Sequence, residues 1–214
     1  MPAPKNAQHP PDTITLRDDE VVTWQGVLWR VRRTTGPHPS RWHEGRTYGP
    51  LDGMRWDPHP DPLGDHPGYS VLYAGATPFT CLAEVGWSRK AVDPTTGAPY
   101  LTAWTPTRAL RLLDLTADGT WALRHGASAS LHARPRTVCR AWARGAHRLV
   151  DPGTGGRLDG ILTASTVFGQ VAVLFAPADD SYPPAPAYTA PLTDPAVAAT
   201  IIAPFVDRTG WRLT

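Results

Sequence analysis

The chain has 214 residues, of which 41% are hydrophobic, and a formal net charge of +2 at pH 7. This length and composition indicate one globular domain with a sizeable core and exclude a chain too polar to form one. The charge is too small to indicate nucleic-acid binding by itself. With 24 Pro and 19 Gly, the sequence predicts many loops and short elements.

The sequence shows no pattern of export or membrane insertion. The first residues, MPAPKNAQHPPD, lack the charged-then-apolar pattern of a signal peptide, and no apolar run approaches the roughly 18 residues of a membrane span. Cys81 and Cys139 have neither a CxxC partner nor metal-ligand spacing, so two free thiols are expected, with a disulfide as the alternative. We therefore expect a cytoplasmic protein without a membrane partner.

In chain order, the pattern predicts strands and loops with two or three helices between them. Thr77-Pro78 marks one helix start, because Thr suits an N-cap and Pro suits the first helical position. Since the order is not a regular βαβ alternation, the fold class is α+β. We predict strands over 21–33, 69–75, 100–104, 109–115, 159–164, 170–176 and 210–213, and helices over 78–88, 135–149 and 194–205.

We predict one folded domain with two flanking segments. Residues 1–20 are Pro-rich and polar and are expected to form a flexible N-terminal arm. Residues 21–176 contain the predicted strands and helices of the domain. Residues 177–214 are expected to form an extension on the same domain, with a Pro-rich stretch over 177–194 that wraps the surface.

Glu84 is the one acid in the stretch VLYAGATPFTCLAEVGW, residues 71–87. On a helix, Thr80, Glu84 and Ser88 share one face, so periodicity alone makes Glu84 an ordinary polar-face residue. Arg30 and Arg32 share one face of their strand, opposite Trp29 and Val31. Arg30, Arg32 and Arg55 offer planar forks of donors suited to phosphate, although a surface arginine is more often an ion-pair partner.

Two further clusters contain charged or metal-ligating side chains. His59, Asp61, Asp65 and His66 fit no standard metal spacing, so a polar loop is expected and no metal site. The arginines of the 135–149 helix recur every four residues and predict one basic face, which would be solvated, dock an acidic partner or, as an alternative, bind nucleic acid; they are Arg136, Arg140, Arg144 and Arg148.

Taken in order, several short fragments resemble the RES domain family, named for its Arg, Glu and Ser. The resemblance covers about residues 27–176. The family loop Gly-Gly-Arg-aromatic-Asn is matched with two departures, Met54 for the second Gly and Asp57 for Asn. The matching fragments are Trp29-Arg30-Val31, Gly53-Met54-Arg55-Trp56-Asp57, Val71-Leu72-Tyr73-Ala74-Gly75, Thr77-Pro78, Leu82-Ala83-Glu84, Asp159-Gly160-Ile161, Ser165, Gly169 and Val173-Leu174-Phe175.

The resemblance implies an ADP-ribosyltransferase-like fold with a split β-sheet and a site for NAD+ as substrate. It implies a toxin that consumes NAD+ and is paired with a helix-turn-helix antitoxin, which would be its only link to nucleic acid. Some relatives instead modify a protein with ADP-ribose. A non-catalytic module that binds nucleic acid or a partner is the third alternative.

The resemblance also gives roles to five residues. Glu84 would bind a ribose hydroxyl and stabilise the oxocarbenium-like transition state. Arg30 and Arg55 would bind phosphate or ribose, and Tyr73 would stack on the nicotinamide or shape its pocket. Ser165 would hydrogen-bond the nicotinamide amide or support Glu84. We therefore predict Glu84, Arg30 and Tyr73 as catalytic, and Arg30, Arg55, Tyr73 and Ser165 as NAD+-binding residues.

The residue two positions before Glu84 indicates which acceptor the reaction uses. Transferases that modify arginine generally have an acid or Gln two residues before the catalytic Glu, and here that position is Leu82. Leucine cannot orient a guanidinium group. Water or phosphate is therefore favoured as the acceptor, which predicts an NAD+ glycohydrolase or phosphorylase.

Overall fold

A computed structural model of the protein describes residues 6–214, so the first five residues of the predicted arm lie outside the described residues. Over 6–214 the chain forms twelve β-strands and five α-helices. The strands are β1 Val21–Trp24, β2 Leu28–Arg33, β3 Tyr48–Gly49, β4 Gly64–Asp65, β5 Val71–Gly75, β6 Ala91–Val92, β7 Pro99–Trp104, β8 Leu110–Leu115, β9 Gly160–Ala164, β10 Gln170–Phe175, β11 Tyr188–Pro191 and β12 Arg212–Leu213. The helices are α1 Pro78–Gly86, α2 Trp121–Arg124, α3 Arg136–His147, α4 Pro195–Val197 and α5 Ala203–Thr209.

The main sheet has eight strands in the order β1-β8-β9-β10-β5-β2-β7-β11. All neighbours are antiparallel except β8 and β9. Between β5 and β2 the only residue pair is Trp29 with Gly75. The sheet therefore splits into a half of five strands and a half of three, which confirms the predicted α+β fold with a split sheet.

The two half-sheets have different cores. Helices α2 and α3 pack on the five-strand half through a cluster that includes Trp121 and Trp142. The three-strand half packs against α1, α4 and α5 through a second cluster around Phe205. A third cluster, which includes Leu28 and Leu72, takes residues from both halves on the other faces of their strands. Hydrophobic burial on both sides therefore holds the halves together where strand pairing does not.

The predicted strand over 21–33 is two strands, and this prediction was wrong. The chain breaks over 25–27, where Trp24 Nε1 donates to the Gly26 carbonyl oxygen at 2.8 Å. β1 then pairs with β8 at one edge of the sheet, and β2 pairs with β7 in the other half. The predicted faces of β2 are confirmed, since Trp29 and Val31 pack on the Phe205 cluster and the preceding Leu28 packs on the opposite one.

The chain after residue 176 contributes to the sheet. The predicted Pro-rich wrap over 177–194 contains β11, which pairs with β7 and forms an edge of the main sheet. The predicted helix over 194–205 is α4, a π-helical segment Ala198–Ile202, and the start of α5. The predicted final edge strand is β12, which pairs in parallel with β6. None of the helices over 6–214 is long and apolar enough to cross a membrane.

Helix α3 is not the solvated basic face that its arginines predict. Most of its residues are buried, and Arg140 is only 9% exposed. Arg140 Nη1 donates to the carbonyl oxygens of Leu51 and Asp52 at 3.2 Å each, and Nη2 pairs with the Asp52 carboxylate at 3.0 Å. One of the four arginines therefore anchors a loop, which interrupts a continuous basic stripe.

Candidate active site

Glu84 and Ser165 come together where α1 passes the turn between β9 and β10. The Ser165 Oγ lies 2.5 Å from Glu84 Oε1 and donates to it. The same Oγ accepts hydrogen bonds from the backbone N–H of Val167 at 2.9 Å and of Phe168 at 3.0 Å. A hydroxyl has one donor and two acceptor positions, so all three are used. Its proton is directed at Glu84, and the exposed carboxylate is held in one place.

The turn that carries Ser165 depends on a glycine and on aromatic packing. Ser165 N donates to the Gly169 carbonyl oxygen at 2.9 Å, and Gly169 has a φ of +71°. A Cβ at Gly169 would lie 2.6 Å from Thr80 Oγ1 on α1. The neighbouring Phe168 ring packs 6.1 Å from that of Phe79, centroid to centroid. Close packing of the turn on α1 therefore sets the distance between Ser165 and Glu84.

The first turn of α1 forms as its sequence predicts. Thr77 is the N-cap, and its Oγ1 accepts from the backbone N–H of Thr80 at 3.1 Å, with Pro78 at the first position. The buried Cys81 thiol donates to the Trp29 carbonyl oxygen at 3.0 Å. A Cβ at Gly75 would lie 2.8 Å from this sulfur, so Gly75 lets α1 approach the single junction between the half-sheets.

Tyr73 lies on β5 and is partly buried against the five-strand core. Its hydroxyl accepts a hydrogen bond from the backbone N–H of Trp56 at 2.9 Å. Burial raises the pKa of Tyr73, and the negative charges of Asp57 and Glu84 add to that rise. Tyr73 therefore stays a neutral phenol within electrostatic reach of Glu84, and the loop that contains Trp56 closes over it.

Arg55 extends from that loop to the start of α3. Its Nη1 donates to the Arg134 carbonyl oxygen and lies 3.7 Å from the Cys139 sulfur. These contacts use only Nη1, which leaves Nε and Nη2 for a ligand. Cys139 and Cys81 are both free and buried.

Asp57, which stands where the family has Asn, holds the same loop in place. Its buried carboxylate pairs with Arg46 at 3.0 Å and accepts from the backbone N–H of Leu51 at 2.7 Å and from His59 Nδ1. Burial alone would raise the pKa of Asp57, but these donors lower it to about 2. The departure from Asn is therefore matched by a cation, Arg46, which motif comparison did not single out.

Arg30 is half-buried on the face of β2 away from the Phe205 cluster, and its guanidinium group holds a loop in place. Nη1 donates to the carbonyl oxygens of Arg41 at 3.2 Å, Trp42 at 3.0 Å and Glu44 at 3.0 Å. Burial lowers the pKa of Arg30 to about 10. Burial also raises the pKa of Cys81 to about 12. The negative charge of Glu84 adds to this rise, and the positive charge of Arg30 opposes it.

The five predicted residues therefore fall into two groups. Glu84 and Ser165 are in contact, and the charge of Glu84 adds to the rise in the pKa of Tyr73. Arg30 and Arg55 contact carbonyl groups of the loops around the site. The turn at Ser165 can be predicted from Ser165 and Gly169, because serine hydroxyls commonly accept hydrogen bonds from the backbone N–H groups of such turns. The Arg46–Asp57 pair and the Cys81 contact carry no comparable sequence signal.

The predicted polar loop with His59 and His66 does not gather metal ligands. His59 is buried against Asp57, and His66 Nε2 donates to the Pro62 carbonyl oxygen at 2.9 Å. Over the described part of the chain, no group of three or more His, Cys, Asp or Glu side chains is placed to hold a metal ion.

Comparison with known proteins gives one family and one solved fold. The model of the RES domain family matches residues 27–193, which includes all five predicted residues and extends through β11. A chain in the crystal structure of the M. tuberculosis MbcT–MbcA toxin–antitoxin complex is similar in fold, with a TM-score of 0.54 and 18% identity. That similarity covers 86% of this chain and 92% of the other. No protein with a curated description matches.

Proposed function

The chain belongs to the RES domain family, and from that premise we propose that it cleaves the nicotinamide–ribose bond of NAD+. The observation that carries the proposal is the contact between Ser165 and Glu84. It holds one exposed carboxylate in place on α1, the helix that approaches the single junction between the half-sheets. This supports a reaction that needs a fixed negative charge and no strong acid.

The proposed chemistry fits that arrangement. The bond between ribose C1′ and the nicotinamide nitrogen breaks, and its electron pair leaves with the nicotinamide, which becomes neutral. The ribose passes through an oxocarbenium-like state, whose positive charge a nearby carboxylate stabilises. Water then adds to C1′ and releases one proton to solvent, which gives ADP-ribose, or phosphate adds and gives the phosphorylated sugar. Because the leaving group starts as a cation, one carboxylate suffices.

We assign Glu84 to the ribose hydroxyl and the oxocarbenium-like state. Ser165 supports Glu84 rather than the nicotinamide amide, because its only proton is already directed at the carboxylate. Tyr73 shapes the nicotinamide pocket. Arg55 binds phosphate or ribose through its remaining donors. Arg30 either replaces one of its loop carbonyl partners with phosphate or ribose, or acts by holding that loop in place.

A hydrolytic or phosphorolytic product is favoured by the position of Leu82. This residue is 2% exposed and belongs to the Phe205 cluster. A side chain that points into the core cannot orient an acceptor arginine. ADP-ribosylation of a protein is therefore the second candidate rather than the first.

We also propose that the chain is the toxin of a toxin–antitoxin pair. The similar fold comes from a toxin–antitoxin complex, although at 18% identity it shows only the fold. Loss of NAD+ would be harmful to the cell that makes the enzyme, so a bound antitoxin is a chemically sensible partner. Such an antitoxin with a helix-turn-helix domain would supply the contact with DNA.

The test is mass spectrometry of the products when purified protein is incubated with NAD+, with and without phosphate. We expect nicotinamide from the wild type, and Glu84→Gln should lower its release by at least about 100-fold because the charge is lost. Asp207→Asn, at an exposed acid on α5, is the matched control and should behave like the wild type. Intact NAD+ after long incubation with wild type would contradict the proposal, and the added mass of ADP-ribose on a protein would favour the second candidate.

A further inference from the structure

The C-terminal helix α5 packs on α1, although it lies beyond the residues that the family model matches. The match ends at residue 193, and α5 is Ala203–Thr209. Phe205 on α5 is fully buried, and the centre of its ring lies 5.7 Å from that of Phe79 in the first turn of α1. The family match therefore gives α5 no role, but the fold places it against the helix that carries Glu84.

The residue after α5 contacts the other end of α1. Gly210 ends α5 in the left-handed conformation, with a φ of +67°, and its N–H donates to the Val206 carbonyl oxygen at 2.8 Å. The chain then turns back, and the Trp211 ring packs edge to face on that of Phe205, with centres 5.2 Å apart. Trp211 also lies against the last turn of α1, because a Cβ at Gly86 would lie 2.9 Å from Trp211 Cζ3. Together, α5 and Trp211 therefore contact both ends of α1.

Arg208 connects α5 to the turn that carries Ser165. It lies three residues after Phe205, on the same face of α5, and its guanidinium carbon is 4.8 Å from the centre of the Phe168 ring. A cation at this distance over an aromatic ring is attracted to it. Arg208 is exposed and forms no ion pair among residues 6–214. The Phe168 ring therefore contacts α1 through Phe79 and α5 through Arg208.

The backbone of Phe168 connects this packing to Glu84. Its N–H is one of the two that fill the acceptor positions of the Ser165 hydroxyl, and the other is that of Val167. A shift of the Phe168 ring would move this N–H and free one acceptor position. The hydroxyl proton would then no longer be held toward Glu84. The contacts of α5 therefore reach the proposed catalytic acid through one ring and two hydrogen bonds.

From these contacts we propose that Phe205, Arg208 and Trp211 form a C-terminal clamp, which holds α1 and the Ser165 turn together and so positions Glu84. Arg208 is the positioning residue of the clamp that can be replaced without disturbing the core, because its side chain is exposed. Its effect on catalysis rests on the proposed cleavage of NAD+, whereas its effect on the turn does not. Loss of the cation should make opening of the turn about two- to fivefold more frequent, the equivalent of one exposed cation–π contact.

The test is amide hydrogen exchange of the full chain, measured by NMR. Arg208→Gln should speed exchange of the Val167 and Phe168 amides about two- to fivefold, because these N–H groups are released when the turn opens, while amides of β10 keep wild-type rates. Arg208→Lys keeps a cation over the ring and should restore most of the protection. Arg212→Gln, at an exposed arginine of β12, is the matched control. Wild-type rates at both amides in Arg208→Gln, or equally faster exchange throughout β10, would overturn the proposal.

Steady-state kinetics with NAD+ distinguish positioning from contact with the substrate. Arg208→Gln should lower kcat about two- to fivefold and leave KM unchanged, because the clamp acts on Glu84 and not on NAD+. In a Phe168→Leu background the same change should have no further effect. A raised KM with unchanged kcat would overturn the proposal, since Arg208 would then contact NAD+ itself. If the wild type does not cleave NAD+, the proposed function fails, and the exchange rates still decide whether the clamp holds the turn.

Discussion

At the scale of single residues, the hydroxyl of Ser165 links the backbone of a turn to the proposed catalytic acid. Its two acceptor positions are filled by N–H groups, so its proton has one direction, toward Glu84. A hydrogen bond to a charged group contributes about 1.5–3 kcal/mol. This contribution requires the hydroxyl and the turn together, which is why neither Ser165 nor Glu84 alone explains the site.

We predict that Ser165→Ala lowers kcat for NAD+ cleavage by roughly 10- to 100-fold, the kinetic equivalent of one charged hydrogen bond. Steady-state release of nicotinamide measures the effect. Ser165→Thr keeps a hydroxyl and should recover most of the activity. If Ser165→Ala cleaves NAD+ as fast as wild type, the hydroxyl does not position Glu84.

At the scale of elements, the turn between β9 and β10 and the N-terminal half of α1 form one unit. The Gly169 backbone packs closely against Thr80. The Thr80 Oγ1 lies 2.9 Å from the Oγ1 of the N-cap residue Thr77. Any side chain at Gly169 would push the turn away from α1. The distance between Ser165 and Glu84 is thus set by backbone packing.

We predict that Gly169→Ala destabilises the fold and reduces NAD+ cleavage. Gly155→Ala is a matched control, because Gly155 has nearly the same φ, +72°, but no atom within 4 Å of an added Cβ. Both variants pay about 1–2 kcal/mol for a left-handed alanine. Only Gly169→Ala should lower the free energy of unfolding, measured in urea, by more than this amount and lose activity. An equal loss of stability in the two variants, with full activity in both, would refute the packing argument.

At the scale of the whole molecule, the packing of α3 on the five-strand half buries a titratable ring. His147 at the end of α3 is 4% exposed, and it stacks on Tyr69 with centroids 4.5 Å apart. Burial, together with the positive charge of Arg157, lowers the pKa of His147 from 6.5 to about 4. The folded chain therefore keeps this ring neutral where the unfolded chain would protonate it.

We predict a pH-dependent loss of stability from His147. Between pH 6.5 and 4 the unfolded state binds more protons than the folded state, so the free energy of unfolding falls as pH falls through this window. Between pH 7 and 4.5 the expected contribution is about 2–3 kcal/mol, because roughly two pKa units of this range lie between the two pKa values, at about 1.4 kcal/mol per unit. Urea unfolding at pH 7, 5.5 and 4.5 measures it, and His147→Phe should show a shallower decline. An identical decline in both proteins would assign the effect to other groups.

How much the sequence predicts depends on whether a feature is local. The cap at Thr77-Pro78, the two faces of β2, and the strands β8 and β10 follow from short patterns, because each is set by neighbours in the chain. The split of the 21–33 strand and the edge strand β11 were missed, because strand pairing with β8 and β7 decides them. The buried Arg140 was missed because periodicity does not show what packs on a helix.

For this protein, the sequence by itself determined the family resemblance, the α+β class, and Glu84 as the acid to examine. Only the tertiary structure decided that Ser165 donates to Glu84 and that Arg30 and Arg55 contact loop carbonyls. The physical reason is that side-chain partners depend on distances between residues far apart in the chain. A motif gives the residue type, whereas the fold gives the direction in which its donors point.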